Sequence, residues 1–582
     1  MKTTHSRLLY PGLLALLLCS ACTTPKGPDA LNAPARARLS QAAISEWQNQ
    51  KFSMFIHFGL YSLPAGVWKN EKISNGYSEQ IRGHGKIPKE EYRALARSFN
   101  PAQWNPDSIV TLAKQAGMKS IVITSKHHDG FSMFHTAFSD FNIVDATPFK
   151  RDVIKELSNA CRKQGMKFGV YFSLIDWDFP GALPISGHNS DGIPPLHHQF
   201  NLNQVRELMT RYGTISEIWF DMGKPTFQQS KELADLVRKF QPNCLISGRL
   251  WNDQGDFAVT GDNAAPDFKM GTLWQSPSSM FDETWGYRSW QERGEAKTKA
   301  LEKLTSLIKV TGNGGNYLLN IGPMGTGEIV PFEREVLTLI GNWFARNGEA
   351  ITGTTPSPLP EQAWGVITAK PGKLFLLVLR VPQDGKLLLK GLKSNCKQAY
   401  LLSDRSNKLA TTPTAEGCLV NLGTPSPATD LVKVIAFEYS GILDYIPAGA
   451  LSPATDGSYT LNYANATKYH SYSGIEYYST KPTVIKLEWQ CLAAGESTYD
   501  LTLCYTRKDM EKKLQLTVNK KPCEVLLEEQ AASPQGDMIK RIKGIKLKGN
   551  SLNTIQIQLA DQSNPHKDLE LSGLTLKLSK PE

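Results

Sequence analysis

Between about residue 45 and residue 350, short apolar runs alternate with longer amphipathic stretches. Residues 53–58, 120–124, 168–172, 217–220 and 244–247 each read as one buried strand, bounded by polar or turn residues. Between them, 106–116, 152–164, 202–212 and 231–240 carry apolar positions at helical spacing. Repeated strand–helix alternation predicts parallel strands covered by helices. Some ~300 residues of it favour a (β/α)8-like barrel over an open sheet. No Gly-x-Gly-x-x-Gly follows the first strand, so a dinucleotide-binding fold has no support.

After Gly353 the pattern changes. Pro356, Pro358 and Pro360 make 354–362 read as a connector, and the runs 374–381 and 431–437 alternate between turn residues. That predicts a β-sandwich over 354–440. A second β-rich module is expected over 441–582, with runs at 460–463, 484–489, 499–505 and 554–559. Its aromatics include Tyr469, Tyr472, Tyr477 and Tyr478, and it is a candidate carbohydrate-binding module.

The chain's start reads as an address. Lys2 and Arg7 precede the apolar stretch 8–18, which is too short to span a bilayer, and Ser20-Ala21-Cys22 follows. Residues 1–22 resemble a bacterial lipoprotein signal, with Cys22 lipidated; an ordinary cleaved signal peptide is the alternative. Residues 23–44 read as a Pro- and Ala-rich linker. An exported protein, periplasmic or at the cell surface, is expected, meeting the membrane only through a lipid anchor.

Composition narrows the classes further. The 582 residues are 41% hydrophobic and 21% charged, which excludes a disordered chain. The net charge of +10 is spread thinly, without basic blocks, so no nucleic-acid partner is expected. Beyond Cys19 and Cys22 the nine cysteines stand singly, without zinc-site spacing. Neither a metal nor another cofactor is expected, and the oligomeric state is left open.

Chemistry-bearing residues stand at the ends of the apolar runs: His57; Lys126-His127-His128-Asp129; Tyr171 and Asp176-Trp177; Trp219-Phe220-Asp221. Barrel enzymes build their sites at the C-terminal ends of their strands. Singly, each has a duller reading, such as a structural histidine or a helix-capping aspartate. Together they point to a polar pocket walled by aromatics. Imidazole and guanidinium suit sugar hydroxyls, aromatic rings suit apolar sugar faces, and retaining glycoside hydrolysis needs two carboxyl groups.

At these residues the sequence resembles glycoside hydrolase family 29, the retaining α-L-fucosidases. The likeness covers about residues 47–439. It rests on His57-Phe-Gly-Leu-Tyr61-Ser, Lys126-His-His-Asp-Gly-Phe131, Trp219-Phe-Asp-Met-Gly223, Trp285-Gly-Tyr287, Gly314-Gly-Asn-Tyr-Leu-Leu-Asn-Ile-Gly-Pro323 and Gly348-Glu-Ala-Ile351. The resemblance implies Asp221 as nucleophile and a fucosylated glycan or oligosaccharide as substrate. It implies His57, Glu79, His127, His128, Tyr171, Trp219 and Arg249 as sugar-binding residues, and Trp285 as the wall beside the sugar's methyl group.

Two positions depart from the family pattern. Trp274-Gln275 stands where many members have Trp-Glu, the proton donor, and Glu79-Gln80 stands where Glu-Trp is usual. An amide donates no proton to a leaving group. Glu283 is therefore the expected acid/base, with Asp282 and Glu79 behind it. Two further readings stay open: a fucose-binding protein of the same fold with impaired hydrolysis, or a glycosidase for a galactose-like sugar.

Overall fold

The computed structural model describes residues 39–186, 191–266, 268–423, 430–471, 483–493, 495–506, 510–528, 538–560 and 575–579. The signal, Cys22, most of the linker, and Tyr472, Tyr477 and Tyr478 lie outside the described residues.

Eight parallel strands follow in order: β1 (Phe52–Ile56), β2 (Ser120–Lys126), β3 (Lys167–Ser173), β4 (Glu217–Asp221), β5 (Leu245–Ile246), β6 (Ala258–Val259), β7 (Trp274–Ser278) and β8 (Asn316–Ile321). In the sheet they run β5-β4-β3-β2-β1-β8-β7-β6. A parallel bridge between Ser247 and Phe257 joins β5 to β6 and closes the barrel. Closure removes both sheet edges.

The longer helices are α1 (Gln41–Gln50), α2 (Pro106–Gln115), α3 (Val153–Gln164), α4 (Pro195–Arg211), α5 (Phe227–Phe240), α6 (Ala296–Gly312) and α7 (Pro331–Asn347), with two short helical turns, Ile81–His84 and Lys89–Ala94, between β1 and α2. No α-helix follows β5 or β6 among the described residues. α4 begins earlier than the 202 expected, because Pro195 occupies its first turn, where a missing N–H costs nothing. α1 begins inside the stretch read as linker: Ser40 caps it by accepting from Ala43 N at 3.2 Å.

Alternation along the strands sorts side chains between two cores. Phe55, Val122, Tyr171, Trp219, Leu245 and Leu318 fill the barrel interior. Met54, Ile56, Ile121, Ile123, Phe168, Val170, Ile218 and Phe220 face the helices. Each fully buried side chain of this kind contributes about 1.5–3 kcal/mol. Trp47 of α1 plugs the barrel's lower end, against Phe257 at 4.6 Å and donating its indole N–H to Glu217 at 2.5 Å.

Beyond the barrel lies a sandwich of a six-stranded and a three-stranded sheet. In strand Lys373–Val378, Phe375 and Leu377 pack on the barrel core, while Leu374, Leu376 and Val378 face the sandwich interior. Trp343 of α7 fixes the junction by donating to Val432 O at 2.7 Å. Part of the expected connector is strand: Thr355–Pro356 pairs at the edge of the six-stranded sheet, where a proline is tolerated. The last module stacks a four-stranded on a six-stranded sheet around Trp489, Tyr499, Leu503, Leu516 and Ile557. The outermost strand of that six-stranded sheet, Lys269–Met270, belongs to the barrel.

Candidate active site

The strand ends deliver their polar residues to one cavity of about 220 Å³ at the C-terminal face of the barrel. That is smaller than the ~300–1,000 Å³ that suits drug-sized ligands. His57, Glu79, His127, His128, Tyr171, Trp219, Asp221, Arg249 and Trp285 all line it. Every sugar-binding candidate named from the sequence is therefore in one place, together with the expected nucleophile.

Asp221 closes β4, and the next residue, Met222, holds φ = 63°. A left-handed backbone at a non-glycine residue is strained, and such strain concentrates at functional turns. Tyr171 donates its hydroxyl to Asp221 Oδ2 at 2.8 Å, and Arg249 donates to Oδ1 at 3.0 Å. Burial alone would raise this carboxyl; the Arg249 guanidinium and the Tyr171 hydroxyl instead hold it below the ordinary aspartate value. At neutral pH Asp221 is a carboxylate with fixed orientation.

The histidines are neutral. Burial pushes His57 down to about 4 and His128 to about 3, against the pull of Asp221, and takes His127 well below the ordinary value. His57 Nδ1 lies 2.7 Å from Asn320 Oδ1, an atom that only accepts, while Asn320 Nδ2 donates to Trp285 O. His57 therefore carries its proton on Nδ1 and has its Nε2 lone pair available for a substrate hydroxyl. His128 follows the same logic: Ser173 Oγ, 2.7 Å from its Nδ1, spends its own proton on Ile175 O. The His127 ring stacks on Tyr171, with centroids 5.5 Å apart.

Trp219 forms a wall with the Arg249 guanidinium 4.8 Å from its ring centroid, and Trp285 packs against His57 at 5.2 Å. Glu79 is fully buried. Its Oε2 accepts from Gly286 N at 2.8 Å and Trp285 N at 3.1 Å, yet burial outweighs these bonds and raises it to about 7.

Two sequence expectations need correction. Glu283 is exposed and outside the cavity; its carboxylate lies 3.4 Å from Gln291, and Asp282 beside it is also exposed. The Phe281–Thr284 bridge turns this tip away from the sugar pocket, while Thr284 and Trp285 turn inward. Gln275 is not in the cavity either. It lies inside the barrel, where its Oε1 accepts from Trp219 Nε1 at 2.8 Å and its Nε2 donates to Glu217 at 3.4 Å. Its amide is therefore no vacant acid position.

Sequence reasoning missed Asp262. It lines the mouth of the cavity, its side chain about a third exposed, and accepts from Arg249 Nη2 at 2.5 Å. Asp221 and Asp262 thus hold neighbouring nitrogens of one guanidinium. Asp262 follows the two-residue strand β6, and Phe257-Ala-Val-Thr-Gly261-Asp262 repeats the pattern of an acid just past an apolar run. Tyr77 and Gln80 complete the mouth.

Comparison with known proteins agrees with this geometry. The family model described as Alpha-L-fucosidase matches residues 22–349. Tissue alpha-L-fucosidase of Bos taurus is 28% identical over 414 residues, covering 67% of this chain and 87% of the relative. Among solved structures, alpha-L-fucosidase isoenzyme 1 from Paenibacillus thiaminolyticus is 30% identical, with TM-score 0.61 over 69% of this chain and 99% of the other. Alpha-L-fucosidase from Vibrio sp. strain EJY3 is 26% identical, with TM-score 0.65 over 93% of this chain and 98% of the other, so that likeness extends into the last module. With its cavity at the top of a closed parallel barrel and more than half its length matched, the chain belongs to the alpha-L-fucosidase family of glycoside hydrolases.

Proposed function

We propose that the protein is a retaining, exo-acting α-L-fucosidase that removes terminal fucosyl residues from glycans, with Asp221 as nucleophile and Asp262 as acid/base. The observation that carries the reading is the shared guanidinium of Arg249, with Asp221 on one side at 3.0 Å and Asp262 on the other at 2.5 Å. Retaining enzymes keep their two carboxyl groups about 5–5.5 Å apart, a spacing that such a bridge supports.

Asp221 attacks the anomeric carbon as the bond to the glycosidic oxygen breaks, and Asp262 gives its proton to that oxygen. Water then attacks the fucosyl–Asp221 ester, losing a proton to Asp262 and releasing fucose with its configuration retained. Asp262 suits this exchange because it stands at the open mouth, where aglycone leaves and water enters. The lone pairs of His57 and His128 receive sugar hydroxyls, and Trp219 and Trp285 pack against apolar sugar faces.

One observation favours Glu79 as the acid instead: a carboxyl raised to about 7 keeps a large protonated fraction in neutral solution. Its burial against the Trp285 and Gly286 amides favours a hydroxyl-binding role. Kinetics decide. Asp262→Asn is expected to lose about 10²–10⁴-fold in kcat/KM on a fucosylated oligosaccharide, to keep kcat/KM on a dinitrophenyl fucoside while its kcat falls for want of the base, and to have that kcat restored by azide. That pattern in Glu79→Gln alone reverses the assignment. The binding-protein reading rested on Gln275, which lies outside the cavity; fucose binding without turnover of either substrate would favour it. We further propose export through the 1–22 signal and a lipid anchor on Cys22; mass spectrometry of the mature N-terminus in its native host tests both.

A further inference from the structure

The loop that carries Asp262 does not belong to the barrel alone. Downstream of Asp262, Lys269–Met270 pairs in parallel with Thr467–Ser471 of the C-terminal module, Tyr469 opposite Lys269 and His470 opposite Met270. Gly271 N donates to His470 O at 2.9 Å, and the Phe268 ring lies 4.7 Å from the His470 imidazole. Thr272 and Ser471 bring their hydroxyls to 3.4 Å. The approach is close: a Cβ on Gly271 would stand 2.8 Å from Ile485 Cδ1 and 3.2 Å from Tyr469 Cβ, so those side chains would have to give way.

The loop is thus tied at two ends. Near Asp262, Thr260 N and Asn263 N donate to Gln275 O and Pro277 O of β7. At the far end the module supplies the partner strand. No helix covers this connection among the described residues, in contrast to β2, β3, β4 and β8, whose connections lead into α3, α4, α5 and α7. A loop without a helix needs another support to hold a side chain within the fraction of an ångström that proton transfer requires.

We propose that the C-terminal module is a positioning element for the acid/base: its edge strand, through Tyr469 and His470, holds the far end of the loop and so fixes Asp262 over the leaving-group oxygen. The inference rests on the assignment of Asp262 above. It ties an accessory module to one half of the chemistry, leaving-group protonation, and leaves nucleophilic attack by Asp221 unaffected.

The test uses the full-length protein with Phe268→Ala, His470→Ala and Gly271→Pro, which removes the donated N–H, alongside Asp262→Asn. Each is assayed on a dinitrophenyl fucoside, whose leaving group needs no proton, and on a fucosylated oligosaccharide, with folding checked by thermal unfolding. The junction variants are expected to lose about 10- to 100-fold in kcat/KM on the oligosaccharide and under twofold on the aryl substrate. Their dependence on leaving-group pKa is expected to steepen. Equal losses on both substrates, or none, in variants that unfold like wild type overturn the proposal. If Gly271→Pro does not fold, the two alanine variants decide alone. Selective loss in Asp262→Asn without it in the junction variants sinks this inference only; absence of selective loss in Asp262→Asn sinks the acid/base assignment beneath it.

Discussion

Trp219 donates its indole N–H to Gln275 at 2.8 Å inside the barrel, beneath the wall that Trp219 presents to the cavity. The amide passes the connection downward, from Gln275 Nε2 to Glu217, which also accepts from Trp47. A residue that looks from sequence like a missing catalytic acid is therefore a strut between the plug of the barrel and the wall of the site.

Gln275→Glu is accordingly not expected to improve catalysis. It sets a second carboxyl beside Glu217, whose own carboxyl burial already raises to about 7. Two buried acids at that distance hold a proton between them, and ionising both costs about 3–5 kcal/mol. Thermal unfolding is expected to show a loss that deepens as pH rises from 5 to 8. A Gln275→Glu variant that hydrolyses oligosaccharide faster than wild type contradicts this placement.

Arg249→Gln leaves the Asp221 and Asp262 carboxyls without their shared cation. Asp221, now held below its ordinary value, is expected to rise, so the acidic limb of the kcat/KM profile moves to higher pH. Tyr171→Phe removes one charge-assisted hydrogen bond from the same carboxylate and is expected to cost about 10–100-fold in kcat/KM, with the limb shifting the same way. An unmoved acidic limb in both variants refutes the roles given to these two side chains.

Glu283→Gln is expected to stay within about twofold of wild type on every substrate, because substitutions at exposed sites away from the machinery have small effects. A selective loss on oligosaccharide substrates returns Glu283 to the site.

The pH dependence of stability follows from buried groups with opposite shifts. Glu79, Asp129 and Glu217 rise to about 7 and Glu333 to about 8, so the folded state keeps protons that the unfolded chain releases above its ordinary carboxyl values. Their contribution is complete below about pH 4 and lost as pH rises through 7–8. His57 and His197 fall to about 4 and His128 to about 3, so their contribution is complete above about 6.5 and lost on acidification. Between about 4.5 and 6.5 the two slopes oppose each other. Tm is expected to be flat there and to fall on both sides; a Tm still climbing from pH 6.5 to 8.5 contradicts the protonation states assigned to the site.

The barrel and most of the site were legible in the sequence because both depend on local pattern. Buried strands such as β2 and β4 read as apolar runs, and His127, just past the end of β2, and Asp221, the last residue of β4, fall at the rim by the rule that strands end where the site begins. Asp262 escaped notice because β6 is two residues long and the apolar run before it, 257–259, is too short to stand out as a strand. Glu283 and Gln275 misled for a different reason. Position relative to Trp285 does not tell which way a hairpin tip turns, and position after Trp274 does not tell how far up β7 a side chain stands. Both depend on long-range packing, such as the Trp219–Gln275 bond, that chain order does not record.

The most direct measurement is to incubate the protein with a 2-deoxy-2-fluoro fucosyl donor carrying a good leaving group and to map the adduct by peptide mass spectrometry. A fluorofucosyl ester on Asp221, absent in Asp221→Asn, is the result expected of a retaining fucosidase with this nucleophile. An adduct on another carboxylate, or turnover without any adduct and with the opposite anomer released first, contradicts it.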